Sequence, residues 1–246
     1  MRRLAILVGS GALELPFDAV VEQIDETPFG RPSAAPSRAA GRNFSVHLLA
    51  RHGVPHAVAP HLINYRANLH LLAEFGVEEI VALNTVGAIA AHAHNGRIVV
   101  PDQLIDYTWG RAHSFAGPDD LKHVDFTEPY DAALRAELLG AARAAKLDVH
   151  DGGVYGCTQG PRFESAAEIE RMDRDGCTVV GMTGMPEAGL ARELGIRYAS
   201  LCLVVNPAAG RGDAIDLDEI ATIAREGMGD VARLLGAFFE GIESRD

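Results

Sequence analysis

The chain has 246 residues, 48% hydrophobic and 23% charged, the balance of a globular protein with room for one large core. Its 34 acidic against 22 basic residues give a formal charge of −12, which argues against a polyanion-binding surface, because nucleic-acid affinity depends on neutralising many phosphates. Cys157, Cys177 and Cys202 are far apart, odd in number and without metal-like spacing, so reduced thiols and a cytoplasmic location are expected.

At the amino terminus, Arg2-Arg3 before Leu4–Val8 imitates a secretion signal, but the run is short and ends in Gly9-Ser10-Gly11 rather than at a cleavage pattern. No uncharged stretch reaches the ~20 residues of a membrane helix. Further along, apolar runs bounded by Gly, Pro, Asn or Asp predict buried strands at Val46–Ala50, Ile80–Leu83, Ile98–Val100, Val154–Cys157, Val179–Met182 and Ala199–Val205. Helical periodicity predicts Asn64–Phe75, Tyr130–Lys146, Ala166–Arg174, Pro186–Leu194 and a final helix from about Leu217 to Ile242, where Asp216 with Glu219 resembles a capping box. Ala34–Gly41 reads as a small-residue loop, and Trp109–Lys122 as an excursion with few apolar anchors. The expected fold is α/β: a single domain over residues 1–246, with a mixed central β-sheet flanked by helices on both sides.

Polar residues gather where the apolar runs stop: Ser10, Arg51 and His52, Asn84 and Thr85, Thr183, and Asn206. In α/β folds ligands bind at such strand ends. Gly9-Ser10-Gly11 offers backbone donors and a hydroxyl around a concavity fit for one phosphate, with Arg51 and His52 as partners. It is no dinucleotide fingerprint, since residue 14 is Glu, and no Gly-Lys-Ser/Thr follows. Taken singly, each residue has a plainer reading: a Gly-Ser turn, a surface Arg, a core Met at 182, a first-turn helix acid at Glu164.

The stretch "GCTQGPRFES" carries more. Gly lets a backbone approach a ligand, Phe163 can cover a flat ring and Glu164 can accept a hydrogen bond from it. With "LVGSG", "LLARHG", "HVDFTEPYD", "MTGMPEAGLARELGIRYASLCLVVNPAAG" and other segments in order, the chain resembles the trimeric purine nucleoside phosphorylases and their methylthioadenosine phosphorylase relatives. The resemblance implies the nucleoside phosphorylase fold and a homotrimer whose active site lies near the subunit interface. It implies phosphate held by Ser10, Arg51, His52, Asn84, Thr85 and Thr183, and Met182 against the sugar. At the base it implies Phe163, Glu164 and Asn206, followed by Pro207 and Ala208. Around the 5′ group it implies Leu217, Ile220 and a His123 contributed by a neighbouring subunit.

The implied reaction is reversible phosphorolysis of a purine nucleoside, with phosphate as co-substrate and no cofactor or metal. Glu164 accepts only, and the Asn206 amide can donate to O6, so the pair favours 6-oxopurines over adenine. The methylthioadenosine phosphorylases carry Ser in place of Glu164 and Asp at the positions of Asn206 and Ala208. A 6-oxopurine nucleoside is therefore expected, and the resemblance implies S-methyl-5′-thioinosine, with inosine or guanosine, and then methylthioadenosine, as alternatives. Val8 is expected to add bulk before the phosphate turn. The rival classes are a water-using nucleosidase and a non-catalytic purine sensor.

Overall fold

The structure, a computed structural model, describes residues 1–9, 18–117 and 120–244. Among them the strands are β1 (Arg2–Val8), β2 (Val20–Val21), β3 (Ser37–Ala40), β4 (Phe44–Ala50), β5 (Glu79–Ala88), β6 (Ile98–Val100), β7 (Gln103–Asp106), β8 (Val149–Asp151), β9 (Val154–Cys157), β10 (Cys177–Gly181) and β11 (Arg197–Pro207). The helices are α1 (Tyr65–Glu74), α2 (Ala132–Ala144), α3 (Ala166–Arg174), α4 (Gly184–Glu193) and α5 (Leu217–Glu243). All the strands join one mixed sheet, in which β1 lies parallel between β4 and β5, β11 runs parallel to β5, and β10 meets the far end of β5 antiparallel.

The period-2 geometry of the strands builds two cores. Leu4, Ile6, Val81, Leu83, Leu201 and Leu203 face one way and pack against α2 and α5 through Leu134, Leu138, Val231 and Leu235. Ala5, Leu7, Ile80, Ala82, Cys202 and Val204 face the other way and pack with Leu69, Leu72 and Leu190 of α1 and α4. This is why the strands read as continuous apolar runs. Where α5 crosses β11 the approach is close: a Cβ on Gly227 would lie 2.6 Å from Leu203 Cδ1.

Three differences from the sequence expectations have physical causes. β5 does not stop at Leu83 but continues through Asn84–Ala88, because β11 pairs with it along its whole length and the side chain of Asn84 finds partners inside the protein. Ser37–Ala40 is not loop but a strand, antiparallel to β4 on one side and to the two-residue edge strand β2 on the other, so its backbone pairing rather than apolar side chains holds it. The excursion after Trp109 is held down by Arg111, which is buried, and by Phe115, whose ring meets Phe29 edge-on at 5.1 Å.

Helix starts follow local chemistry. Asn64, Asp131 and Asp216 each cap a helix with a side-chain oxygen, and Ser165 with Glu168 forms a reciprocal capping box on α3. At the amino ends of β1, β5 and β11, Glu79 is buried and paired with Arg2 and Arg197. The opposite, carboxyl ends of these strands are left to shape a cleft.

Candidate active site

A cleft of about 440 Å³ opens at the carboxyl ends of β5, β10 and β11, bordered by Pro161, Phe163 and Glu164 and by the first turns of α5. It is lined by Arg51, His52, Asn84, Thr85, Phe163, Glu164, Met182, Thr183, Asn206, Ala208, Leu217 and Ile220, so most of the sequence-derived candidates meet in one place. Ser10 lies outside the described residues, although its neighbour Gly9 lines the cleft.

Arg51 stands at the end of β4 with no solvent exposure. Its Nε and Nη2 each donate to a Glu187 carboxylate oxygen at 2.7 Å, and Nη1 donates to the Leu83 carbonyl at 3.1 Å. One N–H on each terminal nitrogen remains for a ligand. Tyr198 donates a further hydrogen bond to Glu187 at 2.8 Å. The paired carboxylate drives the guanidinium pKa above its ordinary value against the cost of burial. Neither Glu187 nor Tyr198 was among the sequence candidates; the signal for Glu187 was an acid set inside the apolar run from Met185 to Leu190.

His52 follows Arg51, and its Nδ1 donates to the Val58 carbonyl at 2.8 Å. Burial, the Arg51 charge and the stacked ring of His56 push its pKa down to about 4. The ring is therefore neutral at pH 7, with the proton on Nδ1 and an unprotonated Nε2. The Thr183 hydroxyl donates to Asn84 Oδ1 at 2.8 Å, and Asn84 Nδ2 donates to Ser200 Oγ at 2.6 Å. An anion recruiting that hydroxyl must exchange the first of these bonds.

At the other end, Phe163 is 39% exposed at the rim, and Glu164 Oε1 accepts from Thr158 Oγ1 at 2.6 Å. Glu164 precedes the Ser165 cap, so the first-turn acid of α3 is Glu168 and not Glu164. Asn206 is buried, and its Nδ2 donates to the Pro207 carbonyl at 2.6 Å. Leu217 is 65% exposed on the cleft wall, which rules out a purely core role.

One expectation needs correction. Pro207 points away from the cleft and lines a small neighbouring depression instead, because the chain turns there from β11. Val8, the last residue of β1, is half-buried against the core that α5 covers; the turn it precedes lies outside the described residues from Ser10 on. His123 is exposed and does not line the cleft of its own chain.

The model of the phosphorylase superfamily matches residues 3–240. The chain belongs to the phosphorylase superfamily. Among superfamily relatives, a probable S-methyl-5′-thioinosine phosphorylase of Pseudomonas syringae pv. tomato is 47% identical over 95% of this chain and 98% of its own. The 6-oxopurine nucleoside phosphorylase of Pyrococcus furiosus is 41% identical over 96% of this chain and 91% of its own. Among solved members, methylthioadenosine phosphorylase from Schistosoma mansoni in complex with adenine superposes with a TM-score of 0.92 at 30% identity, covering 100% of this chain and 93% of that one. No helix among the described residues is long and apolar enough to cross a membrane, and no cluster of three or more His, Cys, Asp or Glu is arranged to hold a metal ion.

Proposed function

We propose that this chain is a purine nucleoside phosphorylase that converts S-methyl-5′-thioinosine and phosphate to hypoxanthine and 5-methylthioribose 1-phosphate. One observation carries this reading: Glu164 and Asn206 line the same cleft as Arg51 and Thr183, so an acceptor-and-amide pair for a 6-oxopurine edge shares a cavity with donors for an oxyanion. The names of the relatives support it.

In this reading phosphate lies among Gly9, Arg51, His52, Asn84, Thr85 and Thr183. Its hydroxyl faces the bare Nε2 of His52, since that nitrogen can only accept while Nδ1–H serves Val58. A phosphate oxygen attacks C1′ as the C1′–N9 bond breaks, and the bonding pair moves onto the purine. Asn206 stabilises the charge arriving at N7 and O6, Glu164 holds N1–H, Phe163 covers the ring and Met182 lies against the sugar. Phosphate is a co-substrate, and the chemistry assigns no cofactor or metal.

The exposed Leu217 with Ile220 gives the 5′ end an apolar wall, which favours methylthio over hydroxyl. His123, which does not line the cleft of its own chain, would act from a second copy, in line with a homotrimer. Three buried free thiols suit a cytoplasmic protein.

The test is steady-state turnover of methylthioinosine, inosine, methylthioadenosine and adenosine, with and without phosphate. The expected order is methylthioinosine, then inosine, then both adenine nucleosides far behind, with no product when phosphate is omitted. Turnover in water alone would make the protein a nucleosidase, and faster turnover of adenine nucleosides would overturn the base assignment.

A further inference from the structure

We propose that Thr158 is a specificity-positioning residue: its hydroxyl holds one oxygen of Glu164 from behind, so that the other is presented to the purine cleft. The proposal rests on the reading that Glu164 receives the N1–H of a 6-oxopurine.

Thr158 is the first residue after β9, and its own place is fixed by the backbone. Its N–H donates to Gly181 at 2.8 Å, extending the ladder with β10. Its carbonyl accepts from Arg111 Nη2 at 3.2 Å, and the same Arg111 reaches the carbonyls of Gln159 at 2.8 Å and Met182 at 3.0 Å, as well as that of Met185. Arg111 is buried and, among the described residues, pairs with no carboxylate; it donates to backbone carbonyls that join the base loop to the Met182 segment, and to Gln159 Oε1 and the Tyr65 hydroxyl. The Thr158 hydroxyl therefore starts from a rigid mount.

That hydroxyl has one hydrogen and two acceptors in range: Glu164 Oε1 at 2.6 Å and the Gly181 carbonyl at 3.4 Å. The shorter contact has the length of a charge-assisted O–H···O⁻ bond, so the hydrogen goes to Glu164. Among the described residues no donor is bonded to Oε2.

The need for such a hold follows from where Glu164 stands. It lies on the wall between the purine cleft and a second cavity of about 540 Å³, which Thr158, Arg162, Glu168 and Arg171 line. Arg162 is bound to Glu168 through two 2.8 Å contacts, and Arg171 sits 3.6 Å from Asp175. Two guanidinium groups thus border the side away from the base. A carboxylate on a flexible stem is drawn toward them unless something fixes its direction, and Thr158 is the neutral donor that does so.

The experiment compares Thr158→Val, which keeps the shape and removes the hydroxyl, with Thr158→Ser, which keeps the hydroxyl; Thr158→Ala replaces the Val variant should that one fail to fold. kcat/KM is measured for methylthioinosine and methylthioadenosine at saturating phosphate, together with the KM for phosphate. Loss of one charge-assisted hydrogen bond predicts a fall of roughly 10- to 100-fold for methylthioinosine. Methylthioadenosine and the phosphate KM should stay within about twofold, and Thr158→Ser should match the parent. An unchanged preference in the Val or Ala variant, or an equal loss on both nucleosides, overturns the proposal.

Glu164→Ala separates the two levels of the argument. If it abolishes the preference for methylthioinosine while Thr158→Val does not, only the role of Thr158 falls. If it leaves the preference intact, the reading of Glu164 falls and takes the role of Thr158 with it.

Discussion

Arg51 and Glu187 form a two-pronged ion pair sealed inside the protein, with two 2.7 Å contacts and side chains at 0% and 1% exposure. The pair fixes the guanidinium plane, so the N–H groups left over point in a set direction. Removing Glu187 strands a buried cation, which typically costs about 3–5 kcal/mol. Glu187→Ala should therefore lower the unfolding free energy by that order in urea titration and raise the KM for phosphate. Arg51→Lys cannot make the fork and should weaken phosphate even if the fold survives. A Glu187→Ala enzyme of parental stability would show that the pair is not what holds Arg51.

His52 makes stability depend on pH in one direction. In the unfolded chain it takes up a proton below about 6.5, whereas in the native protein it stays neutral until about pH 4. The unfolded state thus binds more protons between these values, and stability falls as pH drops through that window. The urea midpoint should decline from about pH 6.5 toward 4, and His52→Gln should flatten part of the decline. Identical slopes for both proteins would remove His52 as the cause.

Asn206 is expected to act on the departing base rather than on phosphate. By analogy with a single oxyanion donor, Asn206→Ala should lower kcat by about 10²–10³-fold while the phosphate KM changes little. Steady-state kinetics with each substrate varied in turn checks this. Equal loss in both parameters would contradict the assignment.

Gly160 sits at φ +60°, and a Cβ there would lie 2.6 Å from Met182 Sδ. Gly160→Ala should cost roughly 1–2 kcal/mol for the left-handed conformation. It should also displace the thioether, raising the nucleoside KM more than the phosphate KM. The two constants, with a denaturation curve, are sufficient to decide it.

Much of this site was legible before any coordinates, and the reason is local. Arg51-His52 and Phe163-Glu164 are adjacent pairs beside breaks in hydrophobicity, so their residue types announce them. Arg111 and Glu187 are not legible, because each acts on partners distant in the chain: Arg111 donates mostly to backbone carbonyls, and Glu187 is found only by knowing that β4 ends beside α4. Thr158 stands only six residues from Glu164, but a single Thr after a strand carries no mark of the partner its hydroxyl takes. The far end of β5 is hidden for the same reason. Asn84 looks like a strand end until Ser200 and Thr183 are seen to satisfy it.

The order of amino acids by itself determined the alternation of strands and helices, the helix caps and the inventory of donors and acceptors, since these depend on periodicity and on side chains a few residues apart. Only the tertiary structure decided which of those groups are already engaged: Arg51 by Glu187, Thr183 by Asn84, Glu164 by Thr158. A hydrogen-bonding group has few positions to give. What remains for a ligand is set by neighbours that the fold, and not the chain, brings within 3 Å.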